Sequence, residues 1–360
     1  MHIHQSKTLN GYHVVFLVQN VMIGSALLSL PNLLSPVGYS QWWFPIMFGA
    51  FANLLLIPMI WIARQNHELT LFGIHQKLFG KWVGTCINTA IIVYAIILLA
   101  SVCEGYLELI QVVALSDRTI TGPLFIFFLL LIYIANNGIK SIARFCIASF
   151  FLVTWLLYFL TWGFTEGDIG HTLPLFNFTR EEFLAATQKG FISVVGFEVI
   201  LFYFPYIIQQ EKAFRHASYG IWICILCYLS TTLVSVMYYS QWQLENVMYP
   251  VLYLFNAVKL SFLERIDVLA ITLWVFFILT TTAAYLWVAK KGVDSIRGME
   301  KKSHLYIIAL IIYLMISLPL PKEFQKELYE RIYYVTYGLM IWPIFLCVVQ
   351  FVKNKKEGIQ

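Results

Sequence analysis

Ten long runs of apolar residues, each with almost no charge, dominate this sequence. They fall at about 11–35, 42–63, 84–115, 123–138, 142–164, 186–208, 217–240, 268–289, 304–319 and 333–352, bounded by charged or Gly/Pro-rich stretches. A helix needs ~20 apolar residues to cross a ~30 Å hydrocarbon core. In lipid every backbone N–H and C=O must be bonded within the protein, and these runs lack the period of two that barrel strands carry. The expected fold is therefore an all-α integral membrane protein of ten transmembrane helices. Composition points the same way, with 60% of the 360 residues hydrophobic and 12% charged, against about 25% charged in a soluble domain.

The distribution of Lys and Arg sets the expected orientation. With a cytoplasmic N-terminus, that side collects most of the 24 basic residues: Lys7; Arg64, Lys77 and Lys81; Lys140 and Arg144; Lys212 and Arg215; Lys290, Lys291, Arg297, Lys301 and Lys302; Lys353, Lys355 and Lys356. The opposite loops carry most of the acids, from Asp117 through Glu166, Asp168, Glu181 and Glu182 to Glu330. Both termini are expected in the cytoplasm. The first run reads as a retained helix and not a cleaved signal, because only Lys7 precedes it and Gln19 and Asn20 interrupt its apolar stretch. No soluble domain is expected at either end. A net charge of +5 is no basic surplus of the kind that binds nucleic acid.

Two of the helices look interrupted at mid-depth. The first reads Ile23-Gly24-Ser25-Ala26-Leu27-Leu28-Ser29-Leu30-Pro31, and the sixth carries Gly190, Ser193, Gly196, Phe197 and Glu198 with Pro205 beyond. Freed backbone groups at that depth are tolerated only where protein or a water-lined cavity buries them. Close packing through small residues is the bland alternative for the first helix. Five helices separate the two interruptions, so the interrupted helices run in opposite directions. That is the sequence pointer to an inverted repeat of five plus five, here 11–164 and 186–352 within a single transmembrane domain, with a binding site between the breaks.

These residues resemble a known family. The Ile23 to Pro31 stretch is similar to the first-helix glycine motif of the amino acid/polyamine/organocation transporter superfamily, whose members have the LeuT-like fold. The ten-helix length, the bare termini, Pro174-Leu175 and the stretch from Gly196-Phe197-Glu198 to Phe204-Pro205 resemble the B subunit of spore germination receptors. The resemblance implies a membrane subunit that recognises a nutrient germinant, usually an amino acid, in the inner membrane of a dormant spore. It also implies a larger A subunit and a lipoprotein C subunit as partners.

Of the 19 acids, three fall inside spans, and an intramembrane carboxylate is a functional hypothesis by default. Glu198 follows Gly196-Phe197 near mid-span and is placed to pair with a ligand ammonium or to carry a proton; a protonated structural Glu is the competing reading. Glu104 and Glu108 are four apart and share one face of the third helix. They are candidates for an outer vestibule, with Arg118 or Arg331 as an alternative partner for Glu108. Thr280, Thr281 and Thr282 lie just past the middle of the eighth helix and are placed to contribute hydroxyls to a ligand or sodium site, although Thr also bonds its own helix. In proton-linked or uncoupled relatives a Lys on the fifth helix replaces the ion, and here that helix has only Lys140 and Arg144 at its start. Phe197 and Tyr203 are candidates for a lid over a small apolar side chain.

The ligand-binding candidates are Gly24, Ser25, Ala26, Glu104, Gly196, Phe197, Glu198 and Thr281. The amides around Ser25 and Ala26 would take the carboxylate of an amino acid at the positive end of a half-helix. No cofactor or metal is expected: there is no phosphate loop, no HExxH and no G-x-S-x-G, and the six cysteines, including Cys224 and Cys227, read as packed thiols. That leaves little for an intramembrane enzyme, so no catalytic residue is assigned. The region 241–266 reads as one interfacial helix with Val251, Leu252, Leu254, Phe255, Val258 and Leu263 on its apolar face. An amino acid permease, with proton or sodium coupling or none, is the alternative to germinant recognition, and a scaffold for a partner subunit is a third reading.

Overall fold

The computed structural model describes residues 7–113, 119–258, 265–318 and 321–356. The first span is a bent pair, α1 (Gly11–Ile23) and α2 (Ala26–Leu33), whose axes differ by 53°. A 3-10 stretch then leads into α3 (Phe44–Gln65), and α4 (Leu71–Val113) and α5 (Thr121–Asn136) follow. The fifth span joins α6 (Ile139–Val153) through a 3-10 turn to α7 (Leu160–Glu166). The sixth is again bent, with α8 (Arg180–Phe191) and α9 (Ile200–Tyr203) lying in halves that meet at 45°. After α10 (Ala213–Tyr238) come two short helices, α11 (Gln241–Asn246) and α12 (Pro250–Leu254). Three spans close the chain: α13 (Ile266–Arg297), α14 (Lys302–Ser317) and α15 (Lys322–Lys356). Among the described residues, six long apolar helices, two bent pairs and two shorter apolar helices make up the ten expected spans.

Two elements differ from the sequence reading. The third helix begins at Leu71 and not near residue 84. Its 43 residues would run about 65 Å at 1.5 Å per residue, twice the thickness of a bilayer core. Gly80 (φ 81°, ψ 171°) breaks it, and the first turns fold back so that His75 Nδ1 meets Asn88 Oδ1 at 2.8 Å. The spanning part therefore starts after Gly80, close to the expected limit.

The region 241–266 is not one interfacial helix. Ser240 caps α11 with a capping box, and Pro250, which has no N–H to leave unbonded, opens α12. Val251, Leu252, Leu254, Phe255 and Val258 are buried against α2, α10 and α13 instead of lying on lipid; Leu263 lies outside the described residues. Asn32 Nδ2 donates to the carbonyls of Leu244 and Glu245 at 2.9 and 3.0 Å, fastening α2 to this plug.

The core of the bundle is α1 and α13. Every residue from Phe277 to Ala289 is buried, as is α1 from His13 to Ile23 except Phe16. A helix apolar all round has to be enclosed by other helices, and α1 is packed by α6, α10 and α13, while α13 is packed by α4, α5 and α6 as well. By contrast α5 and α14 keep one face open, with Leu129, Tyr133, Ile307 and Leu310 exposed for lipid. The two breaks therefore sit in the most enclosed part of the molecule.

Candidate functional site

Each break is made by a glycine in backbone space closed to other residues. Gly24 ends α1 with φ 43° and ψ −140°; Gly196 has φ 128°. A side chain at Gly196 would also collide with the backbone of α1, because its Cβ would lie 2.8 Å from the carbonyl carbon and oxygen of Val21. The two breaks thus touch each other, backbone to backbone.

A helix that stops leaves its last carbonyls without intrahelical partners, and in a membrane each must find a donor. The donors here are side chains of the seventh and eighth spans. Tyr228 on α10 points its hydroxyl at the carbonyls of Met22 and Ile23, both at 3.2 Å, and at that of Ser193 at 2.6 Å, so one phenol spans both breaks. Trp274 Nε1 on α13 donates to Gly24 O at 2.9 Å. The Thr281 hydroxyl reaches Asn20 O at 3.3 Å and Val21 O at 3.4 Å, as well as Phe277 O on its own helix at 3.2 Å. These three side chains form a clasp around the end of α1.

Between the breaks lies a cavity of about 110 Å³, walled by Val21 to Ala26, by Ile192, Ser193 and Val195, and by Leu98, Val102, Thr281, Tyr285, Tyr333 and Thr336. No side chain caps the N-terminus of α2, which begins at this wall. Ser193 Oγ is buried and lacks a hydrogen-bond partner. A second, larger cavity of about 560 Å³ shares Ser25, Leu98, Val102 and Tyr333 with the first and opens on the face opposite the chain ends. Glu104, Glu108, Gln325, Tyr329 and Tyr249 line it. The pair forms a route from one face of the protein to mid-depth.

Of the residues singled out from sequence, Gly24, Ser25, Ala26 and Thr281 line the inner cavity. Glu104 lines the vestibule, where its carboxylate accepts from the Tyr329 hydroxyl at 2.5 Å and Gln325 Nε2 at 3.3 Å. Glu108 lines the same vestibule, and Arg331 pairs with Glu327 at 2.5 Å instead of with it; Arg118 lies outside the described residues. Gly196, Phe197 and Glu198 stand behind the wall and are not part of it. Phe197 is wholly buried, as is Tyr203, and neither side chain lines the inner cavity. Glu198 accepts from the Gly196 N–H at 2.7 Å and from the Tyr285 hydroxyl at 2.6 Å, and Tyr285 is what faces the cavity. Among the described residues no cation pairs with Glu198, so its link to the cavity runs through a phenol.

Sequence reasoning missed Tyr228, Trp274, Tyr285 and Thr336, and it noted Ser193 only as part of the interruption in the sixth helix. Tyr285 was within reach, since it lies one turn beyond Thr281 on the same face of α13. Nothing in the apolar run around Tyr228 marks the carbonyls it serves on two distant helices.

Relatives are found in both sequence and structure. Spore germination protein GerQB of Bacillus cereus is 24% identical over 311 residues, covering 85% of this chain and 85% of its own. Spore germination protein A2 of Bacillus subtilis (strain 168) is 23% identical over 354 residues, 96% of each chain. In structure the chain is similar to MHP1, a nucleobase-cation-symport-1 family transporter in a closed conformation with bromovinylhydantoin bound. The TM-score is 0.69 at 12% identity, over 96% of this chain and 79% of that one. It is also similar to MhsT in complex with L-phenylalanine, with a TM-score of 0.65 at 13% identity over 96% of this chain and 89% of that one. These likenesses give the fold, an inverted repeat of five plus five helices with the first and sixth discontinuous, and at such identity nothing finer. The profile of the spore germination protein family runs over residues 8–325, and the chain belongs to that family.

Proposed function

We propose that this chain is the transporter-like B subunit of a germination receptor, that it recognises a small amino acid germinant between its two broken helices, and that this binding triggers germination. The observation that carries the reading is the inner cavity, which joins an uncapped helix start at Ser25–Ala26 to the partnerless buried hydroxyl of Ser193. A buried polar atom without a partner calls for an explanation, and a ligand carboxylate supplies one. At about 110 Å³ the cavity is far below the ~300–1,000 Å³ of drug-sized pockets, which favours a small side chain. That MhsT, which shares this fold, is solved with L-phenylalanine is in keeping with an amino acid as the ligand. Gly24, Ser25, Ala26 and Thr281 contact the ligand, Glu198 acts through Tyr285, and Glu104 stands on the approach. In this reading the halves 11–164 and 186–352 shift against each other, both termini are cytoplasmic, and the A and lipoprotein C subunits read the shift at the inner spore membrane.

The test is saturable binding of labelled small amino acids to the purified chain. Ser193→Ala should weaken that binding about five- to tenfold, in line with about 1 kcal/mol for one hydrogen bond, with unchanged protein level. A well-folded parent chain that binds no amino acid would sink the proposal, and a Ser193→Ala variant with parental affinity would remove the site.

A further inference from the structure

A third cavity, of about 300 Å³, lies on the face that carries the chain ends, away from the route described above. Its walls come from four elements: the α5–α6 link (Ala135 to Ile139), the end of the sixth span (Tyr206), the end of α13 (Trp287, Lys290, Lys291), and Glu300, Lys301, Lys302 and Leu305 around the start of α14. Four lysines face one glutamate there. Lys291 is engaged by Glu300 at 2.5 Å and sits 5.3 Å from the Tyr206 ring and 5.9 Å from Trp287. Lys290 is held by Asp294 at 2.5 Å. Lys301 and Lys302 are exposed, and neither ammonium group has an acidic partner among the described residues, although the Lys301 backbone N–H donates to Asp294 Oδ1 at 3.4 Å. The Tyr206 hydroxyl is buried and unpartnered.

Lysines at this face orient any membrane protein, but that role needs no cavity, no aromatic floor and no orphan hydroxyl. We propose that this pocket binds the phosphate headgroup of an anionic phospholipid. Basic pockets between helix ends are suited to such headgroups, and the surroundings select a lipid over a soluble anion. α5 and α14 pack side by side beneath the pocket. Tyr133, Tyr306 and Leu310 on them are exposed, which gives acyl chains an apolar track from the pocket into the bilayer. Both helices have 16 residues, about 24 Å, several ångströms short of a ~30 Å core. The bilayer thins against such a pair, which draws headgroups toward the lysines. The bound phosphate takes Lys301, Lys302 and the Tyr206 hydroxyl, and thereby ties the α13–α14 turn to the end of the broken sixth span.

The experiment uses the full chain purified in neutral detergent, with lipid retention followed by native mass spectrometry and thermal stability followed in parallel. The probes are phosphatidylglycerol, phosphatidylcholine, inorganic phosphate and a poly-glutamate peptide. Phosphatidylglycerol should be retained and should raise the melting temperature, whereas phosphatidylcholine should do neither. The double variant Lys301→Gln/Lys302→Gln should lose affinity for phosphatidylglycerol at least tenfold, and Tyr206→Phe a few-fold. Lys355→Gln, an exposed lysine elsewhere on the same face, should bind as the parent does. Equal retention of both lipids, or an unaffected double variant, overturns the proposal. So does a loss as large in Lys355→Gln, which would mean a diffuse charge effect. Stabilisation by inorganic phosphate alone overturns the lipid assignment, and so does displacement of the lipid by poly-glutamate at lower concentration.

Discussion

Glu198 is a buried carboxyl at the junction of the sixth span and α13. From sequence it is a carboxylate at mid-span, placed to meet a ligand directly; in the fold both its oxygens are already engaged, by the Gly196 N–H and the Tyr285 hydroxyl. It therefore fixes two things at once, the strained turn of the sixth span and the rotamer of a phenol that faces the cavity. Glu198→Gln offers one acceptor and one donor where two acceptors are needed. With the amide oxygen kept on the Gly196 N–H, the N–H₂ group meets the Tyr285 hydroxyl, which must turn its proton away and accept instead, and a buried bond left unmade in that rearrangement costs about 1–3 kcal/mol. The expected result is a ligand affinity lower by roughly five- to a hundredfold, measured by equilibrium binding to purified protein, with Tyr285→Phe weakening binding in the same direction. Parental affinity in both variants would mean that the carboxylate plays no part in holding the site.

At the scale of elements, the breaks were legible because small and polar residues interrupt apolar runs at mid-depth, and Gly24 and Gly196 are where the chain bends. What holds the breaks was not legible. Tyr228 and Trp274 look like any aromatic in a buried helix, and which carbonyl a phenol reaches depends on how α10 and α13 are seated against α1. Phe197 illustrates the same point from the other side: lying inside a break does not say which way a side chain turns, and this one turns into the packing. The plug after α10 was misread because Pro250 splits what hydrophobic spacing alone presents as one helix. Tyr228 links both breaks, so its removal tests whether they act together. Tyr228→Phe leaves the carbonyls of Met22, Ile23 and Ser193 without that donor. Interhelical hydrogen bonds in membranes are worth ~0.6 kcal/mol on average and up to ~1.7, and three carbonyls share this one. A loss of about 1–2 kcal/mol is expected, read as a melting temperature lower by several degrees, together with weaker ligand binding. A variant that melts and binds like the parent would show the clasp to be incidental.

Over the whole molecule, the same clasp bears on whether this fold pumps or senses. In carriers of this architecture, unwound carbonyls and half-helix ends coordinate the coupling ion. In this chain the corresponding carbonyls at the end of α1, from Asn20 to Gly24, already take hydrogen bonds from Thr281, Tyr228 and Trp274. An ion placed there has to compete with three packed side chains, so ligand affinity is expected to be the same in sodium as in potassium or choline. A transporter must also bring the bound ligand to the other face. The route that opens here runs from the vestibule lined by Glu104 to the inner cavity, while on the far side the sixth span ends at Tyr206, whose carbonyl receives the amides of Thr8 and Leu9. For a sensor it is enough that ligand favours one of two states of the bundle. The expected behaviour of the single chain in liposomes is saturable binding of a labelled amino acid with little accumulation under either a proton or a sodium gradient. Robust gradient-driven accumulation would establish a permease instead, and would require the α1 clasp and the Thr8–Tyr206 seal to open together in each cycle.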